Sequence, residues 1–313
     1  MAVAELRFQA MASRVQVILV DPAPGAQDYA RRRLEDLECR WSRFRADSDI
    51  SRLNASPEAL IIVSPDTIQL LATMRQAWRL TDRRYDPTML SAIIAAGYTT
   101  SIDGSGKKSV MAGLSAHGHS IGDVMIDPVT SAAMVPTGVG LDPGGIGKGL
   151  AADMVVTELL AGGTGGALVS VGGDLAAAGT TPTAAGWYVS VEHPLDSSRE
   201  LMTLALEAGG IATSSTLTRT WSQNGDSRHH VIDPITGTCA TTDLAAVTVI
   251  ARAGWEAEAH ATAALLCGSE QALDYLDGRE LAGIAMTLDG AMSMSPALEC
   301  VDVTERSTAC TSA

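Results

Sequence analysis

A glycine-rich stretch near the middle of the chain carries groups that could bind an anion. Residues 141–150 read Leu-Asp-Pro-Gly-Gly-Ile-Gly-Lys-Gly-Leu, and the Ala/Leu/Val-rich segment 150–160 that follows predicts a helix ended by two glycines. Glycines before a helix let the backbone approach a ligand, and the free N–H groups and dipole of a helix start favour an anion. Lys148 adds a mobile positive charge and Asp142 a carboxylate. The stretch therefore predicts a site for a phosphate-bearing ligand.

The same stretch departs from the standard phosphate-binding motifs. If Lys148 is taken as the lysine of a P-loop, glycine is expected at the position of Asp142, and serine or threonine at the position of Gly149. The GxGxxG pattern of dinucleotide-binding domains also fails here. A glycine-rich turn into a helix, without a ligand, therefore remains an alternative.

A second group with possible chemistry lies on an alanine-rich helix predicted over residues 255–266. Glu258 and Thr262 are four residues apart, so they share one face of this helix. A carboxylate and a hydroxyl one turn apart offer the oxygen ligands that Mg²⁺ prefers. An acidic residue near the helix start beside a packed threonine would show the same spacing, so the pattern alone leaves both interpretations open.

Two adjacent histidines precede an Asp-Pro turn. Neighbouring residues of a strand point to opposite faces, so we expect one of His229 and His230 to point into a site and the other outward. Two surface histidines beside a turn are equally compatible with the sequence. Asp86 also precedes a proline, which holds it extended and predicts either a structural turn or one that presents polar groups to a ligand. The polar segment 41–54 predicts a solvated loop or a wall of a polar site.

Composition argues against several classes of protein. The net charge of −14 argues against nucleic acid as a partner, so an anionic ligand would need local donors, a lysine or a metal ion. Five scattered cysteines without a CxxC pair argue against a disulfide framework or a zinc site. No apolar run approaches the roughly 18 residues of a transmembrane helix, and the first ten residues lack a signal core. We therefore expect no membrane segment and a cytoplasmic location.

The candidate groups must be positioned by a mixture of helices and strands. Apolar periodicity predicts helices over 26–45 and from 65 onward, whereas an Ala/Leu/Val-rich run predicts a helix over 150–160 and an alanine-rich run predicts one over 255–266. Apolar runs predict strands over 15–20, 167–175, 187–191 and 244–251 and short strands over 124–139, whereas the glycines of 209–215 predict a turn. Residues 98–119, with His117 and His119, are predicted to form a surface excursion. No linker is visible, which predicts one domain over 1–298, or two interlocked subdomains, and a flexible tail over 299–313.

The order of these motifs resembles the ApbE family of Mg²⁺-dependent FAD:protein FMN transferases. The resemblance extends from about residue 8 to residue 268 and leaves out only the segment 98–139 and the tail. The matching segments are 11–13, 42–44, 48–54, 85–88, 141–149, 171–174, 212–214, 230–234, 236–237 and 258–262. The resemblance implies an α+β fold of mixed sheets with packed helices.

The resemblance also implies a role for individual residues. Asp142 and Lys148 would hold FAD, the substrate. The flavin or adenosine pocket would be lined by Met11, Phe44, Tyr85 and Asp86, with a backbone contribution from Ile232. The Mg²⁺ ligands would be the carbonyl of Gly145, Glu258 and Thr262. His230 would accept a proton from a threonine or serine hydroxyl of an acceptor protein, which would receive FMN while AMP leaves.

Two residues depart from the family pattern. Glu258 stands where the family usually has aspartate, and one extra methylene matters for the strict octahedron of Mg²⁺. Ser215 replaces an expected glycine, which removes backbone freedom. Members of the family are often exported and lipid-anchored, and no signal is visible here, so we expect an acceptor in or facing the cytoplasm. An FAD pyrophosphatase that gives FMN and AMP, and a non-catalytic FAD-binding protein, remain alternative functions.

Overall fold

The computed structural model describes residues 1–101, 106–109, 120–223, 225–300 and 302–304. The helices are α1 Ala26–Trp41, α2 Asp49–Ala55, α3 Pro65–Leu80, α4 Leu90–Ala95, α5 Gly147–Ala161, α6 Gly254–Leu265 and α7 Ala272–Asp277. The strands are β1 Val3–Ala10, β2 Ser13–Val20, β3 Ile61–Ile62, β4 Met125–Asp127, β5 Ala132–Met134, β6 Gly166–Val171, β7 Asp174–Gly179, β8 Trp187–Glu192, β9 Glu200–Leu206, β10 Gly209–Ser215, β11 Thr220–Gln223, β12 Asp226–His229, β13 Ile232–Asp233, β14 Thr238–Cys239, β15 Leu244–Ala251, β16 Ala282–Thr287, β17 Met292–Met294 and β18 Asp302–Thr304.

An eight-stranded antiparallel sheet forms the centre of the fold. Its order is β1-β2-β6-β7-β10-β15-β16-β17. Residues of β2 alternate between two cores, because Val17 and Leu19 pack with helices α1 and α5, whereas Val20 packs with Trp187 and Leu204 of the β8–β9 sheet. The sheet is therefore buried on both faces, and the α+β fold class is confirmed.

Strand predictions hold where apolar runs are long and fail at the edge and at glycines. The predicted strands over 15–20, 167–175, 187–191 and 244–251 correspond to β2, β6 with the start of β7, β8 and β15. Strand β1 was not predicted, because alternate residues of this edge strand are exposed and polar. The turn predicted over 209–215 is wrong, because β7 and β15 pair with this segment on both sides and make it the central strand β10.

Helix α1 ends earlier than predicted. The sequence predicts a helix to residue 45, but it ends at Trp41 because the Ser42 backbone turns extended, with φ −65° and ψ 119°. Ser48 then donates its hydroxyl hydrogen bond to the Ser42 carbonyl and caps the short helix α2. The loop or site wall predicted over 41–54 is therefore partly helical. The predicted start of α3 is confirmed, with Ser64 as N-cap and Pro65 at the first helical position.

Helices α5 and α6 approach each other through glycines. A Cβ atom on Gly149 would lie 2.3 Å from the Gly254 carbonyl oxygen, and one on Gly210 would lie 2.3 Å from the Gly254 nitrogen. Asp153 of α5 accepts the Gly254 and Trp255 N–H groups at 2.8 and 2.9 Å, so it caps the start of α6. Glycine at 149 is therefore required by packing, which explains why the serine or threonine of a P-loop is absent.

Replacing Gly149 with alanine is expected to destabilise the protein by about 3 kcal/mol or more, because the new methyl group overlaps backbone atoms that cannot turn away. The midpoint of thermal unfolding should fall by roughly 5–10 °C. Gly162→Ala, at the other end of α5, is the matched control, since its Cβ would meet the Glu158 carbonyl oxygen only at 3.3 Å. Equal melting temperatures for the two variants would contradict the close approach of the helices.

Two predicted segments, the excursion over 98–119 and the tail over 299–313, are described only in part. His117 and His119 lie outside the described residues. Within the predicted tail, residues 302–304 pair with β9 as strand β18, and the boundary at 298 remains a prediction. None of the described helices is long and apolar enough to cross a bilayer.

Candidate functional site

A cleft of about 1420 Å³ opens between the first hairpin, the start of α5 and the turns that follow β10 and β12. The residues that line it include all eleven site residues predicted from the sequence: Met11, Phe44, Tyr85, Asp86, Asp142, Gly145, Lys148, His230, Ile232, Glu258 and Thr262. The fold thus brings together side chains that are more than 200 residues apart in the chain. Whether each has its predicted role remains a prediction.

A buried charge cluster forms the floor of the cleft. Lys148 Nζ donates to Glu258 Oε1 at 2.9 Å and pairs with Asp174 Oδ2. The other oxygen, Glu258 Oε2, accepts the Gly149 N–H at 2.8 Å. Burial lowers the pKa of Lys148, while the charge of Glu258 acts in the opposite direction. One lysine between two carboxylates leaves a formal charge of −1, which suits a divalent cation.

Asp174 was not assigned a role by the sequence analysis. It follows two glycines in the left-handed region, Gly172 at φ 65° and Gly173 at φ 97°, which turn β6 into β7. It is 3% exposed, and its Oδ1 accepts the Thr213 N–H at 3.3 Å. The signal that could have found it is an acidic residue directly after a glycine pair at the end of a buried strand.

The predicted metal ligands are neighbours in space. A Cβ atom on Gly145, at φ 81°, would lie 3.6 Å from Thr262 Oγ1. Thr262 Oγ1 also lies 2.9 Å from Ser214 Oγ and donates to the Glu258 carbonyl at 3.2 Å. The glycine turn before α5 and the polar face of α6 therefore meet across the cleft floor.

The donor chemistry of this cluster fits a hard cation. Carboxylate, hydroxyl and backbone carbonyl oxygens are the ligands Mg²⁺ takes, usually with substrate phosphate oxygens completing the octahedron. No group of three or more His, Cys, Asp or Glu side chains among the described residues is arranged to hold a metal. The fit therefore depends on mixed oxygen donors: Glu258, Thr262 and the Gly145 carbonyl.

Tyr85 lies beside this cluster with an unpaired hydroxyl. The side chain is 3% exposed, and its Oη has no hydrogen-bond partner in the described part of the chain. Burial, followed by the negative charge of Glu258, raises the pKa of Tyr85 well above 10. Its ring lies 3.2 Å from the position of a Cβ on Gly145. A buried hydroxyl without a partner in the described residues requires an explanation, and a ligand in the cleft that Tyr85 lines would supply one.

Asp86, by contrast, is partly used within its own turn. Its Oδ1 accepts the Thr88 N–H at 2.8 Å and the Thr88 hydroxyl at 2.6 Å. Burial raises the pKa of Asp86, and these hydrogen bonds oppose the rise. The structural interpretation of this Asp-Pro turn therefore has direct support, although Asp86 also lines the cleft.

Arg43 organises the wall that contains Phe44 and Asp142. Its guanidinium carbon lies 4.3 Å from the Phe44 ring centre and 4.7 Å from that of Tyr98. Its Nε lies 3.5 Å from Asp142 Oδ1, which also accepts the Gly144 N–H at 3.0 Å. Arg43 is only 4% exposed. It was missed because an arginine in a polar segment resembles a solvated side chain.

The two adjacent histidines have different surroundings, because His229 ends strand β12 and His230 lies in the bend that follows it. His230 lines the cleft, whereas His229 contacts the Ala240 carbonyl through Nε2 at 3.1 Å. Burial, then the charges of Arg219 and Lys148, lowers the pKa of His230 to about 3, while a hydrogen bond to the Thr218 backbone opposes the shift. Its Nδ1 is buried without a partner within the described ranges. His230 is therefore neutral in the ligand-free protein.

The remaining predicted residues occupy the edges of the cleft. Met11 lies at the tip of the β1–β2 turn, at φ 52°, where Glu38 Oε2 accepts its N–H at 2.7 Å. Ile232 is buried in β13, which pairs with β14 opposite Cys239. Both residues line the cleft, and the pairing with Cys239 fixes the position of the Ile232 backbone.

Comparison with known proteins places this geometry in a family. The FAD:protein FMN transferase of Treponema pallidum is 32% identical over 160 residues, which cover 48% of this chain and 44% of that protein. That of Escherichia coli is 32% identical over 146 residues, covering 46% and 42%. These two matches span less than half of each relative. The transferase of Haemophilus influenzae is 24% identical over 259 residues, covering 80% of this chain and 74% of that protein.

Solved structures show the same fold. The ApbE protein of Thermotoga maritima superposes with a TM-score of 0.82 at 23% identity, covering 96% of this chain and 99% of that chain. The apo flavinyl transferase ApbE of Pseudomonas stutzeri gives 0.79 at 23% identity, covering 95% and 96%. The ApbE family model matches residues 11–287, which is most of the sequence. This chain therefore belongs to the ApbE family.

Proposed function

We propose that this protein transfers FMN from FAD to a threonine or serine hydroxyl of an acceptor protein, with Mg²⁺, and releases AMP. The observation that carries the proposal is the meeting of Lys148, Glu258, Thr262 and Gly145 on the floor of one large cleft that His230 also lines. Relatives named FAD:protein FMN transferase support the choice of reaction.

The transfer makes one phosphorus–oxygen bond and breaks another. The acceptor oxygen attacks the phosphorus on the FMN side of the diphosphate, and the bond from that phosphorus to the bridging oxygen breaks. AMP leaves with the bridging oxygen, and the hydroxyl proton goes to the imidazole of His230. Mg²⁺, held by Glu258, Thr262 and the Gly145 carbonyl, would supply positive charge to the phosphate oxygens in the transition state.

The protein's own groups prepare this step. The Lys148 ammonium lies at the start of α5, where it can reach a phosphate oxygen while Asp174 and Glu258 hold it in place. Two of the causes that lower the pKa of His230 are the charges of Arg219 and Lys148. A bound diphosphate would offset those charges, so FAD binding is expected to make His230 a stronger base when the reaction needs one.

The test is incubation of the purified protein with FAD and MgCl₂, with and without an acceptor protein known to be flavinylated by one of the relatives named above. We expect AMP by chromatography and a flavin phosphoester on the acceptor by mass spectrometry, and neither with EDTA. The control is the same acceptor with its flavinylated hydroxyl residue replaced by alanine.

Two other outcomes would contradict transfer. AMP release that does not depend on the acceptor would identify an FAD pyrophosphatase. Bound FAD without AMP under any condition would identify a non-catalytic flavin-binding protein.

A further inference from the structure

Arg219 lies in the turn between β10 and β11 and lines the cleft. No Asp or Glu among the described residues forms a salt bridge with it, whereas Arg43 pairs with Asp142 and Arg33 pairs with Asp66. Its backbone φ is 51°, a left-handed conformation that is uncommon for a side chain larger than asparagine. Such strain persists only where surrounding structure holds it, and it concentrates at functional sites.

The charge of Arg219 acts on the groups at the centre of the cleft. It lowers the pKa of Lys148 and, after burial, is the largest cause that lowers the pKa of His230. Arg219, Lys148 and His230 all line the same cleft. Lys148 and Arg219 therefore place two cations at one cleft, and because no carboxylate of the described residues pairs with Arg219, they favour an anion between them.

The formal charges at the cleft floor show why a diphosphate needs a second cation. Lys148 with Asp174 and Glu258 carries a net charge of −1, so the lysine charge is already offset before any ligand binds. A divalent cation makes this cluster +1, and a diphosphate diester of charge −2 makes it −1. Arg219 brings the total to zero. Without it, a diphosphate in this buried cleft would keep an uncompensated negative charge.

On the basis of the function proposed above, we infer that Arg219 binds the diphosphate of the dinucleotide, as a second cationic anchor in addition to Lys148. A guanidinium is suited to this role because its planar fork donates two parallel hydrogen bonds to phosphate oxygens. The same contact would stabilise the charge that develops on the phosphate of AMP as the bridging bond breaks.

The test measures binding of FAD, ADP and riboflavin in MgCl₂ without acceptor, for the native protein and for R219G, R219K and R228A. Glycine removes the charge and also relieves the positive φ, so R219G is not expected to unfold; melting curves check this. We expect R219G to weaken FAD and ADP about 10- to 100-fold, the range for a charge-assisted hydrogen bond. Riboflavin, which has no phosphate, should bind equally to the native protein and to R219G. R219K should recover part of the lost affinity for FAD and ADP.

Arg228 is the matched control, because it lies on β12 and pairs with the exposed Asp226. R228A should bind all three ligands as the native protein does. Equal loss of riboflavin and FAD in R219G, or FAD binding as tight as in R228A, would overturn the inference. Because binding is measured without an acceptor protein, its result does not depend on whether the protein transfers FMN. A native protein that binds FAD through Arg219 and transfers nothing would contradict only the proposed function.

Discussion

Replacing Glu258 with glutamine is expected to lower FMN transfer about 100-fold or more, because the proposed metal site would lose its carboxylate and each 1.36 kcal/mol is worth a factor of ten. Glutamine keeps the shape of the side chain, and its amide oxygen can still accept the Gly149 N–H that Glu258 Oε2 now accepts at 2.8 Å. Lys148 also keeps Asp174 as a partner. The loss of stability should therefore be small, about 1–2 kcal/mol.

Lys148→Met is the comparison that separates charge from packing. It leaves Asp174 and Glu258 buried at 3% exposure each, without their cation, and should cost about 3–5 kcal/mol of stability as well as activity. Activity is measured as AMP release with acceptor across a MgCl₂ titration, and stability by thermal unfolding. If E258Q transfers FMN at the native rate and the same MgCl₂ midpoint, Glu258 is not a metal ligand.

Glu258→Asp tests the departure from the usual family residue. The native carboxylate reaches both Lys148 Nζ at 2.9 Å and the Gly149 N–H at 2.8 Å. Removal of one methylene would draw the carboxylate back toward α6, so it could not keep both contacts. We therefore interpret the longer side chain as fitted to this helix pair.

The helices that the sequence predicted correctly have either one apolar face, as α3 has, or an alanine- and leucine-rich sequence, as α5 and α6 have. They extend over 12 to 16 residues, and their starts are marked by a cap or by glycines. Strand β10 was mistaken for a turn because its two glycines weaken any strand signal. Gly210 is needed there for the approach of the α6 start, a contact between segments that no local pattern records.

In the site, too, the sequence predicts the types of residue but not the contacts between them. Which residues have suitable chemistry, and that their order resembles one family, could be predicted from the chain. The partners could not, because Lys148 and Glu258 are 110 positions apart, and Asp174 meets them only after β6 and β7 pair. Arg43 was missed because its burial beside Asp142 depends on the folded chain, and Arg219 because only the folded chain shows that it lines the cleft.

Replacing His230 with alanine is expected to lower FMN transfer about 100- to 10,000-fold, the usual contribution of a positioned general base. FAD affinity should change little, because His230 is neutral in the free protein and adds no charge to the diphosphate site. His229→Ala is the matched control, since the neighbouring ring contacts the Ala240 carbonyl. The measurement is kcat for transfer together with FAD affinity for each variant. H230A with native kcat would exclude His230 as the base.

The pH dependence gives an independent check on this residue. Folding lowers the pKa of His230 to about 3, so the folded protein opposes protonation of this ring and holds it in its neutral, base form. As pH falls from 8 to 5, kcat/KM, which reports the free protein, should therefore show no loss near the ordinary histidine pKa of about 6.5. An acid limb near that value that disappears in H230A would mean that His230 is solvated in the free protein. An acid limb that persists in H230A would belong to another group. The role of His230 as the base would then be decided by comparing kcat of H230A with kcat of H229A.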